Sequence, residues 1–320
     1  MIYDRYYYSI LSSKEKKVYK IVYNAFEKLQ NTIVLKQIDC LGIDLEKIIQ
    51  YISLDNPHIF YVDTTCFRWT DSILSKSISI NYLYTTQEVK HLQNKINHTL
   101  SLMLQKVNAK TEYEKVKAVH NLLTQNIDYD NEALKNYKKY ASRSNSILGV
   151  LFYKTAVCEG VAKVFKLILN LLNIKCLVAT GKSLRDGVLH AWNIVKINNE
   201  SYHVDVTWDI DENKKFIKYD YLNLHDAEIK KDHGFDSGIY PICNNNTYNY
   251  FHYNRLVANT KADVHQIVER AICKNEKHIT FRFNNTVNIT EALKELQFNL
   301  LLRTMLYCVN AEQQICTILI

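Results

Sequence analysis

Proline is nearly absent from this chain and glycine is scarce. Two prolines, Pro57 and Pro241, and seven glycines serve 320 residues. That excludes Pro- or Gly-rich linkers, and no low-complexity segment or internal repeat interrupts the sequence. The eight cysteines form no Cys-x-x-Cys pair, so neither a zinc site nor a disulfide framework is signalled. No apolar run approaches the roughly 20 residues of a membrane span. The first residues, Met1-Ile-Tyr-Asp-Arg-Tyr-Tyr-Tyr, lack the basic-then-apolar pattern of a signal peptide. The expectation is a cytoplasmic protein with no membrane partner, in a reducing compartment where a lone functional thiol survives. The formal charge of +7 is spread over lysine-rich helix faces such as Lys14-Glu-Lys-Lys17. No basic stripe interleaved with aromatics is evident, so no nucleic-acid partner is expected. No metal or cofactor motif stands out, and none is expected.

What is present suffices for a full core. The apolar fraction is 47%, ordinary for a globular chain, and the length accommodates one large or two to three modest domains. We expect a helix–strand module over residues 1–107, a central core over 108–257 and a small α/β domain over 258–320. Three capping boxes, Ser12-x-x-Glu15, Thr85-x-x-Glu88 and Thr111-x-x-Glu114, open helices. A further helix is expected over 45–54, and strands over 32–36, 59–62 and 78–84, the last by alternation of Ile78, Ile80, Tyr82 and Tyr84. A polar helix is expected over 131–140, then a loop over 142–146. The last 63 residues or so alternate helices (262–273, 289–296) with β-rich runs (278–283, 305–309, 315–320).

The chemistry centres on Cys158. It stands at the mouth of a run that is apolar nearly all round, Val161 to Leu172, which reads as a buried helix. The first turn of a helix offers unpaired N–H groups and the positive end of the dipole, and both favour a thiolate. A buried structural cysteine is the bland alternative at this point. Downstream, His190–Ile197 and Ser201–Trp208 read as a hairpin around Asn198-Asn199-Glu200. If its loop has two residues, Asp205 lies opposite Trp192 and His190 is its diagonal neighbour on the same face. A three-residue loop would put them on opposite faces. Cys158, His190 and Asp205 would then make a nucleophile, a base and an orienting carboxylate. The N–H of Cys158 is a natural oxyanion donor, and Tyr129, Asn145 and Ser146 are candidates for a second. His203 shares parity with Asp205 and competes as base. His120 reads as a helix-face residue, Asp209 as a strand end that caps a turn, and Cys176 as a buried strand cysteine. Trp192 shields the His–Asp bond, lines the acyl pocket or is simply a core or hairpin-face aromatic. A zinc site on Cys158, His190 and Asp205 is weaker, because no fourth ligand follows.

Cys158-Glu-Gly, Gly187-Val-Leu-His-Ala-Trp-Asn193 and Tyr202-His-Val-Asp-Val-Thr-Trp-Asp209 resemble the three motifs of the bacterial transglutaminase-like superfamily. The likeness runs over about 110–255 and includes Glu114-Lys-Val-Lys-Ala-Val-His120. It implies a papain-like α+β fold with the triad Cys158, His190 and Asp205, flanked by the N-terminal module and the C-terminal α/β appendage. Val161 departs from the tyrosine that relatives often carry, which touches local packing. The implied activity is cysteine-dependent acyl chemistry on a peptide or protein amide, with hydrolysis by a peptidase or amidase as the leading reading. Amine transfer by a cross-linking transglutaminase, and a silent protein-binding module that kept the fold, are the alternatives. A third idea makes residues 1–105 the recognition module of an enzyme that processes one peptide. The peptide-N-glycanase branch is disfavoured because no Cys-x-x-Cys pair is present.

Overall fold

The computed structural model describes residues 4–64, 66–136, 142–299 and 306–320. The chain is of the α+β class. It divides into two compact units, each assembled from several segments. The first holds residues 1–180, 190–198 and 205–217, the second 181–189, 199–204 and 218–320.

In the first unit all three capping boxes form, each with the side chain and backbone bonds in both directions. They start the helices Ser13–Glu27, Thr86–Gln105 and Glu112–Asn126. Strand Thr32–Lys36 pairs antiparallel with Ser75–Ser79, which pairs on its other side with Arg68–Asp71. The sequence does not suggest Arg68–Asp71, because it is an exposed edge with no apolar alternation. Conversely, the strand expected over 59–62 is no ladder. Ile59, Phe60, Tyr61 and Val62 are all buried, and a single bridge joins Val62 to Tyr82. That apolar run marks a passage through the core. The polar helix spans Asn131–Lys135, and residues 137–140 of its expected length lie outside the described residues. The apolar approach to Cys158 forms a π-helix, Gly149–Tyr153.

The N-terminal segment is tied to the core by polar groups. Asp55 is fully buried and accepts the Tyr7 and Tyr8 N–H groups (3.1 and 2.9 Å) and the Tyr19 hydroxyl (3.0 Å). Burial pushes its carboxyl up to about 6, against the pull of Lys166 and these donors. The Tyr7 hydroxyl donates to Val178 O at 2.6 Å, on strand Cys176–Ser183.

In the second unit Glu200–Val204 pairs antiparallel with Leu222–Leu224, and His233–Gly234 pairs with Lys182 and Ser183. Its C-terminal part is a four-stranded sheet. Val257–Ala258 runs parallel to His278–Phe283, which pairs with Ile315–Leu319, which pairs with Leu306–Asn310. Helices Lys261–Cys273 and Ile289–Asn299 cover one face, with Val264, Ile267, Phe281, Leu293, Cys316 and Ile318 in the core between. Asp232 is a buried hub that accepts from the Tyr221 hydroxyl (2.6 Å), Gln313 Nε2 (3.0 Å) and His233 Nδ1 (2.7 Å).

Candidate active site

Cys158 is the first residue of helix Cys158–Leu171, and Val157 before it is extended with no side-chain cap. The helix start is therefore open to whatever lies beside the sulfur, with its N–H groups available as donors. Two residues on, Gly160 packs its backbone against the preceding loop. A Cβ built there would stand 2.3 Å from Ser144 O and 3.0 Å from Ser146 O. Only glycine lets the helix seat this deeply, which is the physical sense of Cys-Glu-Gly. Val161 is fully buried in the core.

The helix is buried from Gly160 to Leu169, as its apolar run suggests, but the buried stretch includes two lysines. Lys166 bends its amine to two carbonyls, Cys176 O at 2.8 Å and Asp4 O at 2.5 Å. Burial pushes its amine below the usual lysine range, while Cys176, Asp55 and Asp4 pull the other way. Lys163 pairs with Glu159 at 2.6 Å and donates to Ser53 Oγ at 2.9 Å. Both keep apolar stems in the core and carry the amine to its edge.

Strand Leu189–Ile197 brings His190 to the helix. Asn193, three residues along, ties the two together. Its Nδ2 donates to Ala162 O (3.0 Å) on the helix and to Leu177 O (3.1 Å) on the neighbouring strand. The strand ends in a two-residue turn, Asn198-Asn199, with φ of 46° and 71°. Positive φ at both central residues is the type I′ geometry, for which asparagine is well suited. The loop is therefore even, but the returning strand is Glu200–Val204 and not the expected Ser201–Trp208, so Asp205 meets His190 from the start of a turn just past the strand end.

His190 Nε2 donates to Asp205 Oδ2 at 2.6 Å. Asp205 is fully buried, and its other oxygen accepts the N–H groups of Thr207 (2.9 Å) and Trp208 (3.2 Å). Its nearest surroundings thus hold it as an oriented acceptor. The Cys158 side chain hydrogen-bonds His190, and with Nε2 engaged by Asp205, Nδ1 is the nitrogen left for the sulfur. Burial alone would push the imidazole down. The Asp205 charge and hydrogen bond and the contact with Cys158 overrule it and hold His190 at about 10. Trp208 and Trp192 stack on the ring with centroids 5.1 and 6.1 Å away. They keep water from the His–Asp bond, where a hydrogen bond is stronger for being dry. The shielding role fits Trp192. Sequence reasoning does not single out Trp208, although it stands in the stretch Tyr202–Asp209.

Other expectations fare differently. His203 does not join the site: its Nε2 bonds Asp226 Oδ1 at 2.9 Å. Strand Glu200–Val204 ends one residue short of Asp205, so the alternation that parity assumes does not extend from His203 to Asp205. Burial pushes His203 below the usual histidine range. His120 and Asp209 form a fully buried pair, Nε2 to Oδ2 at 2.9 Å. His120 lies one helical turn past Val116, on the face that also buries Val119 and Leu123, and that face is the available signal. The pair pins the residue that follows Trp208. Cys176 is a buried strand cysteine, as expected. Among the second oxyanion candidates, Ser146 donates its hydroxyl to Arg143 O at 2.9 Å. Tyr129 pairs by backbone with Ala156, two residues before Cys158. For a metal, His203, Asp226 and Cys243 bring ligand atoms within 4.8 Å of one another.

Residues 102–209 match the model of the Transglutaminase-like superfamily. Two curated relatives are kyphoscoliosis peptidases. The mouse protein (Mus musculus) is 26% identical over 155 residues, 43% of this chain and 23% of its own length. The human protein (Homo sapiens) is 26% identical over 195 residues, 53% of this chain and 28% of its own length. The chain thus spans about a quarter of the curated relatives it matches. A solved structure described as a TGase aligns with a TM-score of 0.33 at 18% identity, over 49% of this chain and 47% of that one. No helix among the described residues is long and apolar enough to cross a membrane.

Proposed function

The chain carries a transglutaminase-like core of mixed α and β content, and we propose that it uses this core for cysteine-dependent hydrolysis of a peptide or protein amide. Cys158 is the nucleophile, His190 the acid and base, and Asp205 the residue that orients and charges the imidazole. One observation carries the reading: His190 bonds Asp205 at 2.6 Å through Nε2 while the Cys158 side chain bonds the same ring.

The steps follow from that arrangement. The sulfur, with protonated His190 as counter-ion, attacks the amide carbon and forms the C–S bond. The carbonyl oxygen takes the electron pair and is held by the N–H of Cys158 at the helix start. Collapse breaks the C–N bond, and His190 gives its Nδ1 proton to the departing amine. Neutral His190 then takes a proton from water, which attacks the thioester. Collapse of the second tetrahedral adduct releases the acid and restores the thiolate–imidazolium pair. Asp205 stays ionised and fixes the ring so that Nδ1 always faces the sulfur.

Both curated relatives are named as peptidases, which favours water over an amine as acceptor. All eight cysteines are free, which suits action in a reducing compartment such as the cytoplasm. Residues 1–105 are the recognition module in this reading.

The test is the alkylation rate of each cysteine by iodoacetamide against pH, mapped by peptide mass spectrometry. Fast labelling of Cys158 at about pH 6, where an ordinary thiol near 8.5 is protonated, supports the ion pair. An inert Cys158 beside normally reacting cysteines overturns it and leaves a binding module. Adding a primary amine during turnover separates hydrolysis from cross-linking by the mass of the product.

A further inference from the structure

Two cavities flank Glu159, the residue after Cys158. One, of about 440 Å³, is lined by Glu46, Ile49, Gln50, Phe67, Trp69 and Thr180, among others. The second, of about 510 Å³, is lined by Asp63, Phe60, Ser142, Asn145, Ser146 and Lys163, among others. Ser53, Thr64 and Glu159 line both. Each falls in the range of about 300–1,000 Å³ usual for ligand pockets. The shared residues put the two cavities side by side along Glu159, which follows Cys158 in the first turn of the helix.

The lining charges are lopsided. Three carboxylates, Glu46, Asp63 and Glu159, stand against one amine, Lys163. That leaves the two cavities together at −2 in a chain whose formal charge is +7. Lys163 is engaged with Glu159 and Ser53 and is nearly buried, so it neutralises its own neighbour and little else. At the Glu46 end, Phe67 and Trp69 form an aromatic pair with centroids 6.4 Å apart. Lys76 Nζ already stands 6.0 Å from the Trp69 ring, with Asp71 at 3.4 Å matching its charge. Aromatic faces beside carboxylates are the surroundings that hold an alkylammonium or guanidinium group with its apolar stem.

We propose that the cavity at the Glu46 end is a substrate subsite of the Cys158 centre and selects a peptide that carries a lysine or arginine side chain, held between Phe67, Trp69 and the Glu46 carboxylate. The proposal rests on the functional reading above and adds to it a substrate class. It also gives the N-terminal module a part in substrate choice, because residues 46–69 supply most of one wall.

The test uses the full chain and tripeptidyl chloromethyl ketones, in which the Cys158 sulfur displaces chloride from the methylene carbon. Lysine is moved through the three positions in an alanine background, and each probe has a norleucine twin of nearly equal length and no charge. The second-order rate of Cys158 modification is read by mass spectrometry. At one position the lysine probe should react at least tenfold faster than its twin, and a glutamate probe slower than either. Glu46→Gln and Trp69→Ala should each reduce the lysine-to-norleucine ratio to about threefold or less, and added salt should reduce it too. Equal rates for every lysine and norleucine pair, with Cys158 still labelled by iodoacetamide, overturn the subsite and leave the hydrolase reading standing. A Cys158 inert to both reagents removes the two together.

Discussion

Among the described residues cysteine, histidine and aspartate meet at two places, and the proposed function takes only one of them as a nucleophile. Cys158, His190 and Asp205 form one set, Cys243, His203 and Asp226 the other. The His–Asp bonds are alike, at 2.6 and 2.9 Å. The sulfurs are not. Cys158 is half-buried at the first residue of a 14-residue helix, with its side chain on His190. Cys243 is fully buried, donates to Pro241 O at 3.5 Å, and burial pushes its thiol above the usual range. The imidazoles diverge in the same sense: His190 is held up at about 10, whereas burial presses His203 down, with His233 and Lys230 adding to it. Residue types at contact distance are therefore not enough. A helix start, partial exposure and a charge-stabilised imidazole separate a working thiol from a buried one.

The widest gap should appear in alkylation. At pH 6 iodoacetamide should label Cys158 on the order of a thousandfold faster than Cys243 in the native protein, since thiolate character and access both differ. Comparable rates would collapse the distinction. Next, His190→Ala should slow labelling of Cys158 at pH 6 about a hundredfold, by loss of the imidazolium that favours the thiolate. His203→Gln keeps a donor for Asp226 and should leave that rate within about twofold. A large effect of His203→Gln would mean the second set serves the first.

The two histidines should also pull stability in opposite directions with pH. His190 has a raised pKa in the folded state, so its contribution is fully present below about 6.5, its unfolded value, and is lost as pH rises through about 10. His203 has a lowered pKa, so its contribution is present above the unfolded value and is lost as pH falls below it. Denaturant midpoints from pH 5 to 10.5 would read both arms. Asp205→Asn should remove the alkaline arm and leave the acid one. Last and smallest, Asp209→Ala should slow Cys158 labelling about fivefold, because His120 then has no acceptor through which to fix the turn that carries Trp208 and the donors to Asp205. No change in rate would make the His120–Asp209 pair a core feature only.

Much of the site is legible in the sequence because its rules are local. The thiol at a helix start follows from the apolar run after Cys158, and the even loop that brings the returning strand back beside His190 is legible too, although that strand stops one residue before Asp205. What escapes depends on partners distant in sequence or on irregular backbone. His120 and Asp209 are 89 residues apart; periodicity can place His120 on a buried face but cannot name what meets it there. His203 is misplaced by parity because the strand stops at Val204, and the alternation does not reach Asp205. Lys163 and Lys166 interrupt an apolar helix on paper, yet their stems pack as core and their amines find carbonyls, a carboxylate and a hydroxyl. The edge strand Arg68–Asp71 has no apolar face to betray it.

The two asparagines at 198 and 199 carry a further consequence. The pairing register set there works as a parity check. An insertion absorbed by a longer loop leaves His190 and Asp205 facing each other, while one that slips the pairing by a single residue turns the carboxylate away from the ring. Such a chain would keep its cysteine, histidine and aspartate, each in the right order and in an intact motif. It would still be silent, and an inventory of its residues would pass it as an enzyme.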